Sequence, residues 1–242
     1  TTLQMFGVGI RGGTVWDGNA AHIQHGIVLN GTDNCRFYSC IIEEQGNDAI
    51  RVTGAATGIV INGCYCEANG GYAFYANSAI GLTLRDNFFF HNEQYDGTGF
   101  EIYLQTVTRA LIESNYIAAV NPEVHIYLAA DVEDVAIQHN TRASLVAPFI
   151  TDNGIRTRYR GNVGYITENC GTATLLSGTT SLAVAHGLAV TPTVINITFR
   201  EQPTADYGCW WVATIGATNF TLYVTTNPGA SNLDFWWEAK KF

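Results

Sequence analysis

Charge is scarce in this sequence. Only 14% of its 242 residues are Asp, Glu, Lys or Arg, which is little for an ordinary globular surface. The formal net charge is −9, and an acidic chain repels phosphate backbones, so nucleic acid is not an expected partner. No apolar run reaches the roughly 18 residues of a membrane-crossing helix, which argues against membrane insertion. Met occurs once and Pro five times, against 25 Gly. That balance suits short strands and tight turns better than long helices. The six cysteines include no Cys-x-x-Cys pair, so neither a zinc site nor a redox motif is indicated. A chain this long and apolar needs no disulfide scaffold, and most of its thiols are expected to be buried and free.

A repeat is present instead. It reads Cys35-Arg36-Phe37-Tyr38-Ser39-Cys40, then Ile59-Val60-Ile61-Asn62-Gly63-Cys64, then Leu82-Thr83-Leu84-Arg85-Asp86-Asn87. Equivalent segments end at Asn115, Asn140 and Asn162, with steps of 24, 23, 28, 25 and 22 residues between closing positions. Strand side chains alternate faces. Phe37, Ile61, Leu84, Ile112, Ile137 and Tyr159 then make a core column, and Tyr38, Asn62, Arg85, Glu113, Gln138 and Arg160 a solvent column. The closing Asn is expected at the bend, where it tolerates a left-handed conformation. Stacked from coil to coil, these residues would form an amide ladder, with Cys40 and Cys64 in its first two places.

A second strand recurs in the same units. Ile50, Phe74, Ile102, Ile126 and Ile150 are expected to point inward, and Arg51, Tyr75, Tyr103, Tyr127 and Thr151 outward. Short strands, no intervening helix and a step near 24 residues specify a right-handed parallel β-helix of about six coils. It is expected over residues 1–165. A linker is expected at 166–178. New strands at about 181–185, 193–199, 208–215, 219–226 and 233–239 read as a small antiparallel β-sandwich over 179–242.

The repeat, with Ser181-Leu-Ala-Val-Ala-His186-Gly187-Leu188, Thr191-Pro192 and the final Phe235-Trp236-Trp237-Glu-Ala239, resembles phage tailspike and tail-fibre proteins with a pectate-lyase-like β-helix. The resemblance implies a homotrimer on the virion tail that binds host surface polysaccharide and, in many relatives, cleaves it. It implies that the C-terminal sandwich serves trimerisation or receptor binding. It supplies no matched catalytic residue and no cofactor. Because the chain opens on Thr1 and already reads like mid-fold sequence, an upstream region contacting other tail proteins is expected. A stack paired on both sides of every strand, in a trimer, is expected to resist heat. Two alternatives stand: a fibre tip without chemistry, and a secreted polysaccharide lyase or hydrolase.

Three groups of residues are candidate sites. Glu43 and Glu67 lie 24 apart, one coil step. Together with nearby Glu44 and Asp48 and the equivalent position His91, they could serve as glycosidase carboxyls, since like charges raise one pKa. The bland alternative is a set of solvated surface acids. Tyr75, Tyr103 and Tyr127, with Arg51, Glu101 and His125 around them, could line a glycan groove or a subunit interface. One Trp of each pair Trp210-Trp211 and Trp236-Trp237 should face outward, to bind sugar or pack in an interface; Trp211 and Trp237 are the assigned pair. His22 and His25 with Asp17 lack a third ligand of suitable spacing, so no metal site is assigned.

Overall fold

The computed structural model describes residues 3–11, 24–92, 100–118, 125–143, 149–200, 208–229 and 231–241. The described residues are strands, turns and loops. They divide into two units, Thr1–Gly164 and Tyr165–Phe242. Asp17 and His22 fall outside the described residues.

The first unit is a parallel β-helix. The core column follows the repeat: Phe37 pairs with Ile61, Ile61 with Leu84, Leu84 with Ile112, Ile112 with Ile137 and Ile137 with Tyr159, all in parallel register. The column of Ile50, Phe74, Ile102, Ile126 and Ile150 is likewise in register and buried. A six-stranded parallel sheet runs from Gly9–Arg11 through Ile41–Glu43, Tyr65–Glu67, Phe88–Phe90 and Tyr116–Ala118 to Thr141–Arg142. In the solvent column, Glu113 accepts from Gln138 Nε2 at 2.7 Å and pairs with Arg85.

The amide ladder is continuous. Asn87 Nδ2 donates to Asn115 Oδ1, Asn115 to Asn140 and Asn140 to Asn162, at 2.9, 2.9 and 3.0 Å. Each Nδ2 also donates to a backbone carbonyl of the preceding coil, as Asn115 does to Leu84 at 3.0 Å. Each Oδ1 also accepts a backbone N–H, as Asn140 Oδ1 does from Asn115. Cys64 Sγ donates to Phe37 O at 3.7 Å and Cys40 Sγ to Met5 O at 3.9 Å, so a thiol takes the amide's place as a weak donor.

The bend differs from expectation in one respect. The left-handed residue is not the Asn but the one before it. Ser39, Gly63, Asp86, Ser114, His139 and Gly161 all have φ between 52 and 63°. Placing the turn there leaves the next side chain directed into the interior, where it can stack.

The second unit holds two three-stranded antiparallel sheets. One contains Glu168–Leu175, Leu233–Lys240 and Val194–Phe199; the other contains Ser181–Ala185, Asn219–Val224 and Trp210–Ala213. Leu175, Phe220, Leu222, Phe235 and Trp237 share one apolar core drawn from both sheets. The expected linker is corrected: Glu168–Leu175 pairs with Leu233–Lys240 at all eight positions. Its Gly, Thr and Ala content suggested a loop, but Gly171 has a packing role. A Cβ there would lie 2.8 Å from the Trp237 ring, so only glycine lets this backbone cross the indole. His186 is fully buried, accepts from Leu188 N at 3.0 Å through Nδ1 and contacts Gly216 O through Nε2.

Candidate functional site

The six-stranded sheet carries the acidic candidates on its outer side. Glu43 and Glu67 are direct register partners on adjacent coils and both are half-buried. Adjacent parallel strands lie roughly 4.8 Å apart. Tyr65 Oη donates to Glu67 Oε2 at 2.6 Å. That bond, which needs the phenol proton, pushes the Tyr65 pKa up to about 12. Glu44 does not join the pair. It accepts two bonds from Arg11, at 3.0 and 2.7 Å. Glu44, Ala68 and His91 are equivalent positions, all left-handed at φ 55, 53 and 52°.

Asp48 also stands apart from Glu43 and Glu67. It is fully buried and accepts from Arg51 Nη1 at 2.8 Å and from Tyr72 N at 3.1 Å. Burial pushes its carboxyl pKa up, and the bonds from Arg51 and Tyr72 oppose that. His25 Nδ1 accepts the Asp48 amide at 3.3 Å and lies 3.3 Å from Asp48 Oδ2; burial lowers the His25 pKa, and the Asp48 charge opposes that. Among the described residues, no three His, Cys, Asp or Glu side chains converge on a possible metal position.

Beside the acidic pair, two residues away on the same strand face, runs an aromatic column absent from the expected ones. Tyr65, Phe88 and Tyr116 stack with centroids 5.0 and 4.6 Å apart and planes 6 and 5° from parallel. The signal was available: each follows a ladder residue, Cys64, Asn87 or Asn115.

The expected tyrosine column is present on the other sheet. Tyr75 and Tyr103 stack at 5.4 Å, and Tyr103 and Tyr127 at 5.1 Å. Arg51 lies 4.2 Å from the Tyr75 ring centre. Tyr72 and Phe100 pack against the same rings. Burial, then the neighbouring phenols, raise the Tyr103 pKa. Tyr103 has a ring on each side, so its flat faces are taken and its edge is what it presents.

Glu101 and His125 do not surround that column on the surface; both are buried. Glu101 ends a second polar ladder. Gln45 N donates to Asn69 Oδ1, Asn69 Nδ2 to Asn92 Oδ1, and Asn92 Nδ2 and N to the two Glu101 oxygens, at 3.0, 2.6, 2.7 and 3.1 Å. Burial pushes the Glu101 pKa up to about 8, and the same burial lowers that of His125 to about 4. This ladder was legible too: Gln45, Asn69 and Asn92 each lie five residues after Cys40, Cys64 and Asn87.

In the second unit the tryptophans are distributed differently from expectation. Trp237 is 7% exposed and belongs to the core, while Trp236 is 52% exposed. Alternation was right, but the outward member is Trp236. Trp210 and Trp211 are both exposed, at 43 and 45%, on an edge strand of a three-stranded sheet. Trp211 stacks on Tyr223 at 5.4 Å.

Residues 7–186 match the sequence family described as right handed beta helix region. The chain belongs to that family. For this right-handed β-helix protein, no curated protein sequence gives a match. Similar solved structures include the tailspike gp61 of Pseudomonas phage phi297 and the Dettilon tailspike protein gp208. Identities are 11 and 12% and TM-scores 0.47 and 0.45. A third is the gp54 tailspike of Acinetobacter baumannii bacteriophage AP22 in complex with A. baumannii capsular saccharide, at 8% identity and a TM-score of 0.34. The chain is covered over 100, 99 and 100% of its length and spans 58, 64 and 62% of those chains.

Proposed function

We propose that this β-helix is part of a tailspike-like adhesin of the virion tail, a homotrimer that binds host surface polysaccharide. The observation that carries the reading is the Tyr75–Tyr103–Tyr127 column, continued by Arg51 at one end. Edge-on phenols repeating at the coil spacing offer a polymer a regular series of polar contacts along the rod axis. A sparsely charged surface suits hydroxyl-rich ligands. The trimer, the tail location and the contacts of an upstream region with other tail proteins belong to the same proposal, supported by the sequence resemblance to tailspikes. Immobilised polysaccharide from a susceptible host tests it. Tyr103→Ala is expected to weaken retention at least tenfold, and unchanged retention removes the column from the binding surface. Light scattering tests assembly: a particle of 26.3 kDa in solution overturns the trimer.

A second reading adds cleavage. Glu43 and Glu67 face outward on adjacent coils beside the Tyr65–Phe88–Tyr116 column. A one-coil separation approaches the roughly 5–5.5 Å used by retaining glycosidases. In that role Glu67, held by Tyr65 Oη, would be the nucleophile and Glu43 the acid. Glu67→Gln and Glu43→Gln are each expected to abolish release of reducing ends from a polysaccharide that the wild type cleaves. Undiminished release from either variant eliminates the pair.

A further inference from the structure

Trp236 occupies the central strand of its sheet. Register places Thr172 on one side of it and Thr198 on the other. The next outward row is Cys170, Glu238 and Asn196. Trp236, Thr198, Cys170, Glu238, Asn196 and Trp210 are among the residues that line an open pocket of about 670 Å³. Trp210 is held edge-on against Phe199, with centroids 5.5 Å apart and planes at 85°. Arg200 approaches the Trp236 ring from the opposite row, 6.0 Å from its centre. Trp236 is 52% exposed, so half of the indole surface is open among the described residues.

The polar groups of the pocket are already balanced in charge. Glu238 accepts from Asn196 Nδ2 at 3.0 Å and pairs with Lys240 at 2.8 Å. Glu238 is accordingly held below the usual carboxylate range, first by Lys240 and then by Asn196. What the pocket offers a ligand is therefore hydrogen-bonding oxygen, amide and hydroxyl groups beside a flat apolar ring, without an unpaired ion to neutralise. Planar apolar contact plus hydroxyl-directed hydrogen bonding is the chemistry that recognises a sugar ring. The volume lies in the range of small-ligand sites.

We infer that the Trp236 pocket is a separate saccharide-binding site for short uncharged glycans, lying wholly within the C-terminal unit. It deepens the polysaccharide-binding reading and rests on it for the class of ligand. The ring of Trp236 stacks on the apolar face of a hexose, and Asn196, Glu238 and Thr198 take its hydroxyls.

The test uses the whole chain and defined probes: trisaccharides of glucose, galactose and N-acetylglucosamine in α and β linkage, titrated by calorimetry. At least one is expected to bind. Trp236→Ala is expected to weaken it at least tenfold and Trp236→Phe by a smaller factor, which guards against misfolding. Bound trisaccharide is also expected to slow alkylation of Cys170 more than that of Cys209, both exposed free thiols. Three results each overturn the site: no trisaccharide binds; Trp236→Ala binds as the wild type does; or Trp236→Ala lowers the mass of the assembly, which makes the ring a subunit contact. The rod reading fails separately. If polysaccharide is retained while no trisaccharide binds, the pocket falls and the rod stands. If trisaccharides bind but Tyr103→Ala retains polysaccharide fully, the reverse holds.

Discussion

Aromatic rings reach the surface in both units, but the two sheet geometries treat them differently. In the β-helix, parallel in-register pairing puts equivalent positions one above another. A ring repeated in every coil must then stack on its neighbours, as Tyr103 does between Tyr75 and Tyr127. In the C-terminal unit, antiparallel pairing sets Thr172 and Thr198 beside Trp236 instead. Interiors follow the same contrast. The β-helix buries Asn69, Asn87, Asn92, Asn115, Asn140 and Asn162, whereas the core of the C-terminal unit is a cluster of apolar side chains. Repetition makes a buried amide affordable, because each coil supplies the partner that the next one needs. Without repetition, a buried amide has no such partner.

The sharpest way to break this contrast is to interrupt the ladder. Asn115→Ala removes the acceptor for Asn87 N and Nδ2 and the donors to Leu84 O and Asn140 Oδ1. Leaving several buried polar groups unpaired should cost about 3 kcal/mol or more. Urea unfolding checks it. A loss under about 1 kcal/mol would mean that water enters the ladder and replaces the amide.

Next in size is the pH dependence set by Glu101 and His125, two of the buried ionisable groups of the β-helix among the described residues. The folded-state pKa of Glu101 is raised, to about 8. Its stabilising contribution is therefore complete below the unfolded value near 4.5 and is lost as pH rises toward 8. The folded-state pKa of His125 is lowered, to about 4. Its contribution is complete above the unfolded value near 6.5 and is lost as pH falls toward 4. Each slope is at most about 1.4 kcal/mol per pH unit. Glu101→Gln is expected to flatten the alkaline limb and leave the acid limb in place. Melting curves from pH 4 to 9 check both. An alkaline limb unchanged by Glu101→Gln would assign that limb to another group.

How much of this was legible in advance depends on whether a residue acts through repetition. The core columns, the outward tyrosines and the Asn ladder all recur at the coil step, so spacing alone located them. The Gln45–Asn69–Asn92 ladder and the Tyr65–Phe88–Tyr116 column recur equally and could have been found by counting from Cys40, Cys64 and Asn87. Glu101 could not. It meets Asn92 from only nine residues away, across a corner rather than along a column. Asp48 shows the same limit: proximity in sequence suggested that it joined Glu43, while the turn between them sends it inward to Arg51 and Tyr72. In the C-terminal unit, alternation predicted one outward Trp in the 236–237 pair. Which of the two it was depended on Gly171 making room over Trp237, and that is a fact about the partner strand.

The smallest expected effects compare the two kinds of surface ring directly. Tyr103→Ala deletes a ring stacked on both sides, and such pairs contribute about 0.5–1.5 kcal/mol each. A loss of about 1–2 kcal/mol follows. Trp236→Ala deletes a larger ring, but one whose only close aromatic or cationic neighbour among the described residues is Arg200 at 6.0 Å. Its loss should stay within about 0.5 kcal/mol. The bigger side chain therefore matters less for stability, because in the folded chain it has less to stack against. Chemical denaturation of the two variants beside the wild type measures the order. If Trp236→Ala is the more destabilising, the indole is packed against another surface in the assembled protein. The geometric contrast between the two units would then hold for the isolated chain alone.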